Sequence, residues 1–536
     1  EDYNAGITYD SHIANVTVTV TEDEDENGNK TGTLFAKAVI TAEGNDTPEV
    51  FTNTYDTNEV TIGGKDSTGI AVQKTLAGRD WEAGDGFDFQ MEAVTEGAPM
   101  PAETTITGLG NTSGSDAVVA YFGDITFTKE MLNGASTKEF KYTVSETSVS
   151  ADGVTVDPST ERTVTVTVTD DGKGTLTATV KHDNSNATTD ADNQVTNAAA
   201  FTNTYDAAST GDAVPAGFTL TKEFTGHEWT ADYAFEFIMS PKSGKLADDT
   251  EVAVADIPMP KADENVGVTV ENGNAHKTVS GPQEETANFD FGTITYDKAG
   301  TYVYEVKEAK AGTTEKGVTY SGNTATITVT VTDKDASGAS TGQLAATASI
   351  DNVKFTNTYK AGADYNVQGA GGLDITKQLN NRNMTADQFT FTIEATGDNA
   401  EKAAEKLNIA DGTTATVKNA AGNAGEAVSV VGNPFESMTF DETDDGVTYT
   451  YTIKEEGKSG EGDYAGYKLD STTYTVKITA TDDGDGTMTV KTVVNDGAAD
   501  KEYTDQRATV AFENTYKAGD VTVGAEGAAQ IKANKT

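Results

Sequence analysis

Threonine alternates with valine, isoleucine, phenylalanine or tyrosine along much of this chain. Ile13-Ala-Asn-Val-Thr-Val-Thr-Val20 is one such run; residues 163–168, 326–331 and 474–480 are others. Alternation of period two puts successive side chains on opposite faces of an extended strand, with one face apolar. β-Branched and aromatic residues favour the same conformation. Gly, Asp and Asn stand between the runs. Asp170-Asp-Gly-Lys-Gly174 and Asp482-Asp-Gly-Asp-Gly486 read as hairpin turns. Helical periodicity is scarce, and residues 399–407 are predicted to form one short helix. The pattern predicts an all-β protein.

The strands recur in a fixed order. Residues 51–55, 201–205 and 355–359 read Phe-Thr-Asn-Thr-Tyr, and residues 512–516 read Phe-Glu-Asn-Thr-Tyr. Their asparagines, Asn53, Asn203, Asn357 and Asn514, are 150, 154 and 157 residues apart in turn. A period this long is a whole domain copied in tandem. The motif ends an apolar segment and precedes a Gly/Ala/Asp-rich link, so it reads as the last strand of each repeat. Ahead of it come an opening strand (69–76, 218–222, 373–377) and a strand beginning Phe-x-Phe (87–91, 235–239, 389–393). A third apolar strand (122–127, 291–296, 435–440), a strand reading Tyr-x-Val/Ile-x-Glu (142–146, 304–308, 451–455) and a Thr-rich hairpin follow. About seven or more strands per repeat predict an antiparallel β-sandwich. The expected boundaries are the tail of one repeat at 1–59, complete repeats at 60–209, 210–362 and 363–519, and the start of another at 520–536, where residues 522–535 resemble residues 61–74. The links 206–217 and 360–372 contain no predicted strand and are short for independent tumbling, which suggests a semi-rigid string of modules.

Three residue types recur together: a lysine in the opening strand (Lys74, Lys222, Lys377), a glutamate ending the Tyr-x-Val/Ile-x-Glu strand (Glu146, Glu308, Glu455), and the asparagine of the last strand (Asn203, Asn357, Asn514). Lys Nζ and Asn Cγ can form an amide with loss of ammonia. Attack needs a neutral amine, which burial favours by lowering the lysine pKa. Burial raises the carboxyl pKa, so a protonated glutamate is expected to polarise the carboxamide oxygen and then shuttle a proton to the leaving ammonia. Contact within one fold replaces an external enzyme. The plainer reading is a solvated lysine, a salt-bridging glutamate and an asparagine that ends a strand; it must then account for three triples in register. Alignment of the repeats selects Lys74 over Lys65 and Glu455 over Glu456. In the first repeat no lysine strand precedes Asn53, Glu1 is the candidate acid, and Lys535 has no asparagine after it. Asn53 is therefore expected to be unreacted beside exposed strand edges, with donation of the Lys535 strand to Asn53 of another chain as the alternative.

The opening-strand lysine, the Tyr-x-Val-x-Glu strand and the closing Phe-x-Asn-Thr-Tyr resemble the isopeptide-linkage domains of Gram-positive major pilins, related to CnaB domains, over nearly the whole chain. The resemblance implies inverse immunoglobulin-like sandwiches in an elongated rod. It implies autocatalytic intramolecular bonds Lys74–Asn203, Lys222–Asn357 and Lys377–Asn514, with Glu146, Glu308 and Glu455 as single-turnover catalysts, and no enzyme in the ordinary sense. It further implies an extracellular stalk or pilus shaft anchored to the cell wall by sortase, with neighbouring modules, pilus subunits or a host-surface ligand as partners. No Leu-Pro-x-Thr-Gly signal occurs, which suits an internal piece of a long surface protein. Two other readings are repeats that themselves bind host protein or glycan, and an accessory region of a secreted carbohydrate-active enzyme.

Composition narrows the field. Lys and Arg total 38 against 86 Asp and Glu, a formal net charge of −48. Such a surface repels phosphate backbones and anionic lipid, which argues against nucleic-acid and membrane partners. There is no cysteine, so any covalent staple must be other than a disulfide. No apolar run approaches the roughly 18 residues of a membrane span. No cofactor is expected, since no phosphate-binding Gly-rich loop opens a helix. No metal is expected either: His12, His182, His227 and His276 fall at unrelated repeat positions. Asp23-Glu-Asp-Glu-Asn-Gly28 and Asp333-Lys-Asp-Ala-Ser-Gly338 begin like calcium loops, but Leu34 and Leu344 hold the twelfth position. Both read as hairpin turns. Trp81 and Trp229 match Met384 in the fourth repeat, which favours a core role over sugar stacking.

Overall fold

The structure is a computed structural model. It describes residues 5–11, 13–41, 50–63, 68–150, 152–185, 197–366, 371–504, 506–521 and 523. Glu1, His12 and Lys535 lie outside them. The chain divides into two units: residues 1–210 with 296–299 and 331–345, and residues 211–295, 300–330 and 346–536.

In the first unit the second repeat is a two-sheet sandwich. One sheet runs Leu176–Asp183, Glu161–Asp170, Thr137–Glu146, Phe87–Ala93, Thr105–Leu109, antiparallel throughout. The other runs Val154–Thr155, Ala199–Tyr205, Ala71–Ala77, Val118–Tyr121. The alternation seen in the sequence sorts its residues as expected: Val164, Val166 and Val168 are buried, while the threonines between them are half-buried. Phe89, Phe140, Tyr142 and Phe201 fill the space between the sheets. The opening strand Ala71–Ala77 lies beside the closing strand Ala199–Tyr205 and parallel to it. Parallel neighbours need a long crossover, and here nearly the whole repeat supplies it.

The second unit repeats the plan. Leu220–Thr225 is parallel to Lys354–Tyr359, and Ala234–Leu246 pairs with Asn274–Ser280 and Gly300–Glu308. In the fourth repeat Leu373–Asn380 is parallel to Ala508–Tyr516, and Thr390–Thr396 pairs with Thr448–Glu455. There the antiparallel pairing of Lys418 and Asn419 with Val431 and Val430 makes the hydrogen bonding continuous from one sheet into the other. In the first repeat the hairpin Asn15–Glu24 with Lys30–Thr41 leaves Val16, Val18, Val20 and Phe35 exposed.

The turn at Asp170–Gly174 and that at Asp482–Gly486 join hairpin strands, and the helix occupies Ala400–Lys406. The calcium-like loops are turns whose aspartates accept from their own backbone: Asn27 and Asn29 N–H donate to Asp25, and Ser337 and Ala339 N–H to Asp335. Among the described residues no group of three or more His, Asp or Glu could hold a metal ion. Trp81, Trp229 and Met384 are all buried. Two expectations fail. The third apolar strand is only Ile125–Phe127 in the second repeat, follows a 3-10 turn in the fourth, and in the third is reduced to a bridge at Ile294. The alternation there records burial, since Phe291, Ile294 and Tyr296 are fully buried, and not ladder pairing. The link 360–372, expected to contain no strand, pairs as Gly362–Asp364 with Thr439–Asp441. It is held there because Tyr365 is buried with its hydroxyl bonded to Thr492.

Phe89→Ala should open a cavity costing about 3–5 kcal/mol. Calorimetry should show the melting transition of the second repeat alone moving to lower temperature.

Candidate functional site

The parallel pairing of first and last strands sets the register of the site. Lys74 lies opposite Phe201, Lys222 opposite Phe355 and Lys377 opposite Phe512. The asparagine is two residues beyond that phenylalanine, hence on the same inward face. The glutamates come from the facing strands, each at the same register: Glu146 opposite Phe89, Glu308 opposite Phe237, Glu455 opposite Phe391. The six lysine and asparagine residues are fully buried, and the glutamate side chains are at most 1% exposed.

Each glutamate is bonded to both partners. Lys74 Nζ donates to Glu146 Oε1 and Oε2 at 2.9 and 2.8 Å, and Asn203 Nδ2 donates to Oε1 at 2.7 Å. Lys222 Nζ and Asn357 Nδ2 both lie 3.0 Å from Glu308 Oε1. Lys377 Nζ is 2.8 Å from Glu455 Oε2, and Asn514 Nδ2 is 2.6 Å from Oε1. Phenylalanine rings wall the amines: Nζ is 4.6, 4.4 and 4.9 Å from the ring centres of Phe87, Phe235 and Phe389. Burial among these rings pulls Lys74 and Lys222 down to about 8, against the pull of the glutamates, and lowers Lys377 as well. Burial likewise pushes the Glu308 and Glu455 carboxyls up, against their lysines. Both shifts favour the neutral amine and the neutral acid.

The carboxamide oxygen meets a different partner from the one expected. Asn203 Oδ1 accepts from the backbone N–H of Asp157 at 2.8 Å, Asn357 Oδ1 from Ser321 N–H at 2.7 Å, and Asn514 Oδ1 from Asp470 N–H at 2.7 Å. A backbone N–H only donates, so it fixes which way the carboxamide faces. The glutamate is thereby placed on the nitrogen that would leave, and the N–H on the oxygen that would gain negative charge. Neutral Nζ attacking Cγ would form one C–N bond. The carboxyl would take a proton from Nζ and give one to Nδ2, and the Cγ–Nδ2 bond would break to release ammonia.

These loop donors were missed in the sequence, although a signal exists. Asp10, Asp157, Ser321 and Asp470 each follow a short β segment by two residues, as in Ile7-Thr-Tyr-Asp10 and Val318-Thr-Tyr-Ser321. The aspartates also clamp the asparagine strand, accepting the N–H of Thr52, Thr202 and Glu513. Asp157 is further held by Arg162, which lies over the Phe201 ring. In the first repeat Asn53 is exposed, yet its Oδ1 accepts from Asp10 N–H at 2.9 Å. The electrophile is thus oriented by its loop. Glu1 and Lys535 lie outside the described residues.

The family model described as FctA, Spy0128-like isopeptide containing domain, matches residues 1–56, 70–206, 218–360 and 373–517. Among solved structures, the major pilin from Streptococcus pyogenes is 17% identical, with a TM-score of 0.21, over 56% of this chain and 99% of that one. The full-length major pilin SpaD from Corynebacterium diphtheriae is 11% identical, with a TM-score of 0.13, over 84% of this chain and 98% of that one. No curated protein matches the chain.

In an Asn203→Ala variant no amide can form and Lys74 goes on titrating. Its folded value of about 8 lies below the ordinary 10.5, so between these values the unfolded chain binds more protons than the folded one. Stability should therefore rise with pH across that window and be lost again as pH falls through about 8. Calorimetry of the second repeat against pH checks this, and adding Lys74→Met should abolish the slope.

Proposed function

The chain belongs to the family of Spy0128-like isopeptide containing domains, and on that premise we propose that it is a shaft segment of a Gram-positive surface protein or pilus, locked by one Lys–Asn amide in each of its three complete repeats. One observation carries the reading: three times over, the amine of the first strand and the carboxamide of the last are bonded to one buried carboxyl. Lys74, Lys222 and Lys377 are the nucleophiles, Asn203, Asn357 and Asn514 the acceptors, and Glu146, Glu308 and Glu455 the proton shuttles. Each bond forms once, so the protein turns over no substrate. Its partners are the neighbouring repeats and other subunits of the same surface fibre, and its place is outside the cell. Attachment to the cell wall is part of the same proposal and rests on the family; no helix of the described residues is long and apolar enough to cross a membrane.

A bond between adjacent parallel strands ties the start of a repeat to its end. By analogy with a disulfide closing a loop of comparable length, it would stabilise each repeat by roughly 5 kcal/mol. Pulling force would pass through the amide and bypass the hydrogen-bonded strands between. Stretching single molecules should leave the complete repeats unextended; extension to the full contour length would contradict the reading.

Intact mass is the direct test. Folded protein should weigh less than its sequence by three ammonia molecules, and not four, since Asn53 has no lysine beside it among the described residues. Glu308→Ala should restore one ammonia and leave the other two bonds in place, as read from tryptic peptides. The full sequence mass in folded wild-type protein would sink the proposal.

A further inference from the structure

The loop that gives its N–H to each carboxamide has little backbone to hold it. Two residues pair it with the closing strand, and then the ladder stops: Val154 and Thr155 with Tyr205 and Thr204, Val318 and Thr319 with Tyr359 and Thr358, Tyr467 and Lys468 with Tyr516 and Thr515. The donor comes two residues later, as the chain leaves for the Thr-rich hairpin. There its N–H meets the asparagine side chain in place of a strand carbonyl. A turn follows in each case. Ser159 N–H donates to Asp157 Oδ1 at 2.9 Å, Asn323 N–H to Ser321 Oγ at 3.2 Å, and Thr472 N–H to Asp470 Oδ1 at 2.9 Å. These turns shape the loop from within.

What fastens the loop differs from repeat to repeat. Arg162 is buried. It donates to Asp157 Oδ2 at 3.0 Å and to the carbonyls of Ser159 and Glu161. Its guanidinium lies 4.5 Å from the ring centre of Phe201 in the closing strand. Tyr474 holds the same place in the fourth repeat: Arg162 lies opposite Val144 and Tyr474 opposite Ile453, each two residues before the glutamate. Tyr474 OH donates to Ala511 O at 2.7 Å, and its ring meets that of Phe512 at 5.1 Å, both in the closing strand. In the third repeat Ala325 precedes the Thr-rich run, as Arg162 and Tyr474 do in theirs, and its side chain has no polar atom. Asn323 takes over. Its Nδ2 donates to Asn352 O at 2.8 Å and Lys354 O at 2.9 Å, where the closing strand begins. A guanidinium, a phenol and a carboxamide thus fix the same loop against the same strand. Three unlike side chains serving one contact mark the contact itself as the requirement.

We propose that Arg162, Asn323 and Tyr474 are positioning residues for amide formation, each holding the loop N–H of its own repeat on the carboxamide oxygen. The inference rests on the Lys–Asn reading above. As Nζ bonds to Cγ, negative charge gathers on Oδ1, and the loop N–H meets it until the Cγ–Nδ2 bond breaks and ammonia leaves. A carboxamide can turn over and exchange its two ends. A slack loop would withdraw the N–H and leave that turn open, with Oδ1 against the carboxyl and Nδ2 away from the proton it needs to leave.

Full-length chains made by cell-free translation are quenched in acid at intervals and scored for each cross-linked tryptic peptide. Asn323→Ala should slow the Lys222–Asn357 amide about tenfold. Tyr474→Phe, which keeps the ring, should slow Lys377–Asn514 by about as much, the factor for roughly one lost hydrogen bond. The unaltered repeats of the same chain are the standard. The pH dependence of the rate reports the Lys222–Glu308 pair, and in Asn323→Ala it should keep its shape at a lower level. A merely loosened core would admit water, raise Lys222 from about 8 toward 10.5 and carry the profile to higher pH. A second measurement needs no amide. With Lys222→Met blocking the bond, adding Asn323→Ala should speed hydrogen exchange about tenfold in the peptide spanning residues 318–323. Wild-type rates in the variants, a displaced pH profile or unchanged exchange would overturn the proposal and leave the loss of three ammonia molecules standing. A wild-type chain with no amide would overturn the shaft reading together with it.

Discussion

Each complete repeat depends on a lysine amine kept out of water against a single carboxyl. Burying two charges is expensive, and an ion pair in a protein interior seldom recovers the whole cost. Rings of phenylalanine around Nζ make the cost larger, which is why burial outweighs the glutamate and holds Lys74 and Lys222 near 8. The fold tolerates the arrangement because the carboxyl is also bonded to a carboxamide, and the carboxamide to a loop N–H. Nothing polar in the triad is left unpaired. Conversion of amine and carboxamide to an amide would replace the titratable amine by a neutral group beside the carboxyl and remove the cost of burying a cation, so the same burial that activates the amine also favours the product.

The third repeat shows which parts of the arrangement are fixed. Aspartate at the loop position serves twice in the second and fourth repeats, its N–H binding the carboxamide and its carboxylate clamping the strand beside it. Ser321 replaces it in the third, and its N–H is shared between Asn357 Oδ1 and Glu308 Oε2. The backbone donor persists although the side chain has changed. What the site requires at this position is a peptide N–H at a set place, and several residues can supply that.

This explains what could be read from the sequence and what could not. Lysine, glutamate and asparagine carry their chemistry in their side chains, so their recurrence in order was visible, and the all-β pattern followed from threonine and valine alternation. Backbone donors have no letter of their own, and the shift from Asp157 to Ser321 hid them further. Tyr205 was legible as the end of a strand but not as a hydroxyl reaching Asp333, because that contact joins residues far apart in sequence. Phe291 to Tyr296 read as a strand because alternation reports burial, and a buried segment need not join a ladder.

The closing tyrosine of one repeat reaches the hairpin turn of the next: Tyr205 OH meets Asp333 and Gly342, and Tyr359 OH meets Asp482 and Gly486. There glycine meets glycine, Gly153 on Gly342 and Gly317 on Gly486, and the joint places no side chain between the two backbones. Its recognition elements are a phenol, a carboxylate and peptide groups, and the turns that supply them differ in length, from Asp170–Gly174 to Asp333–Gly342. A joint so indifferent to its surroundings makes the repeats interchangeable parts. Unequal recombination within the gene could add or delete a whole repeat, and each new junction would still bring a tyrosine to an Asp–Gly turn. The number of repeats is then free to change over generations without any interface having to be reinvented.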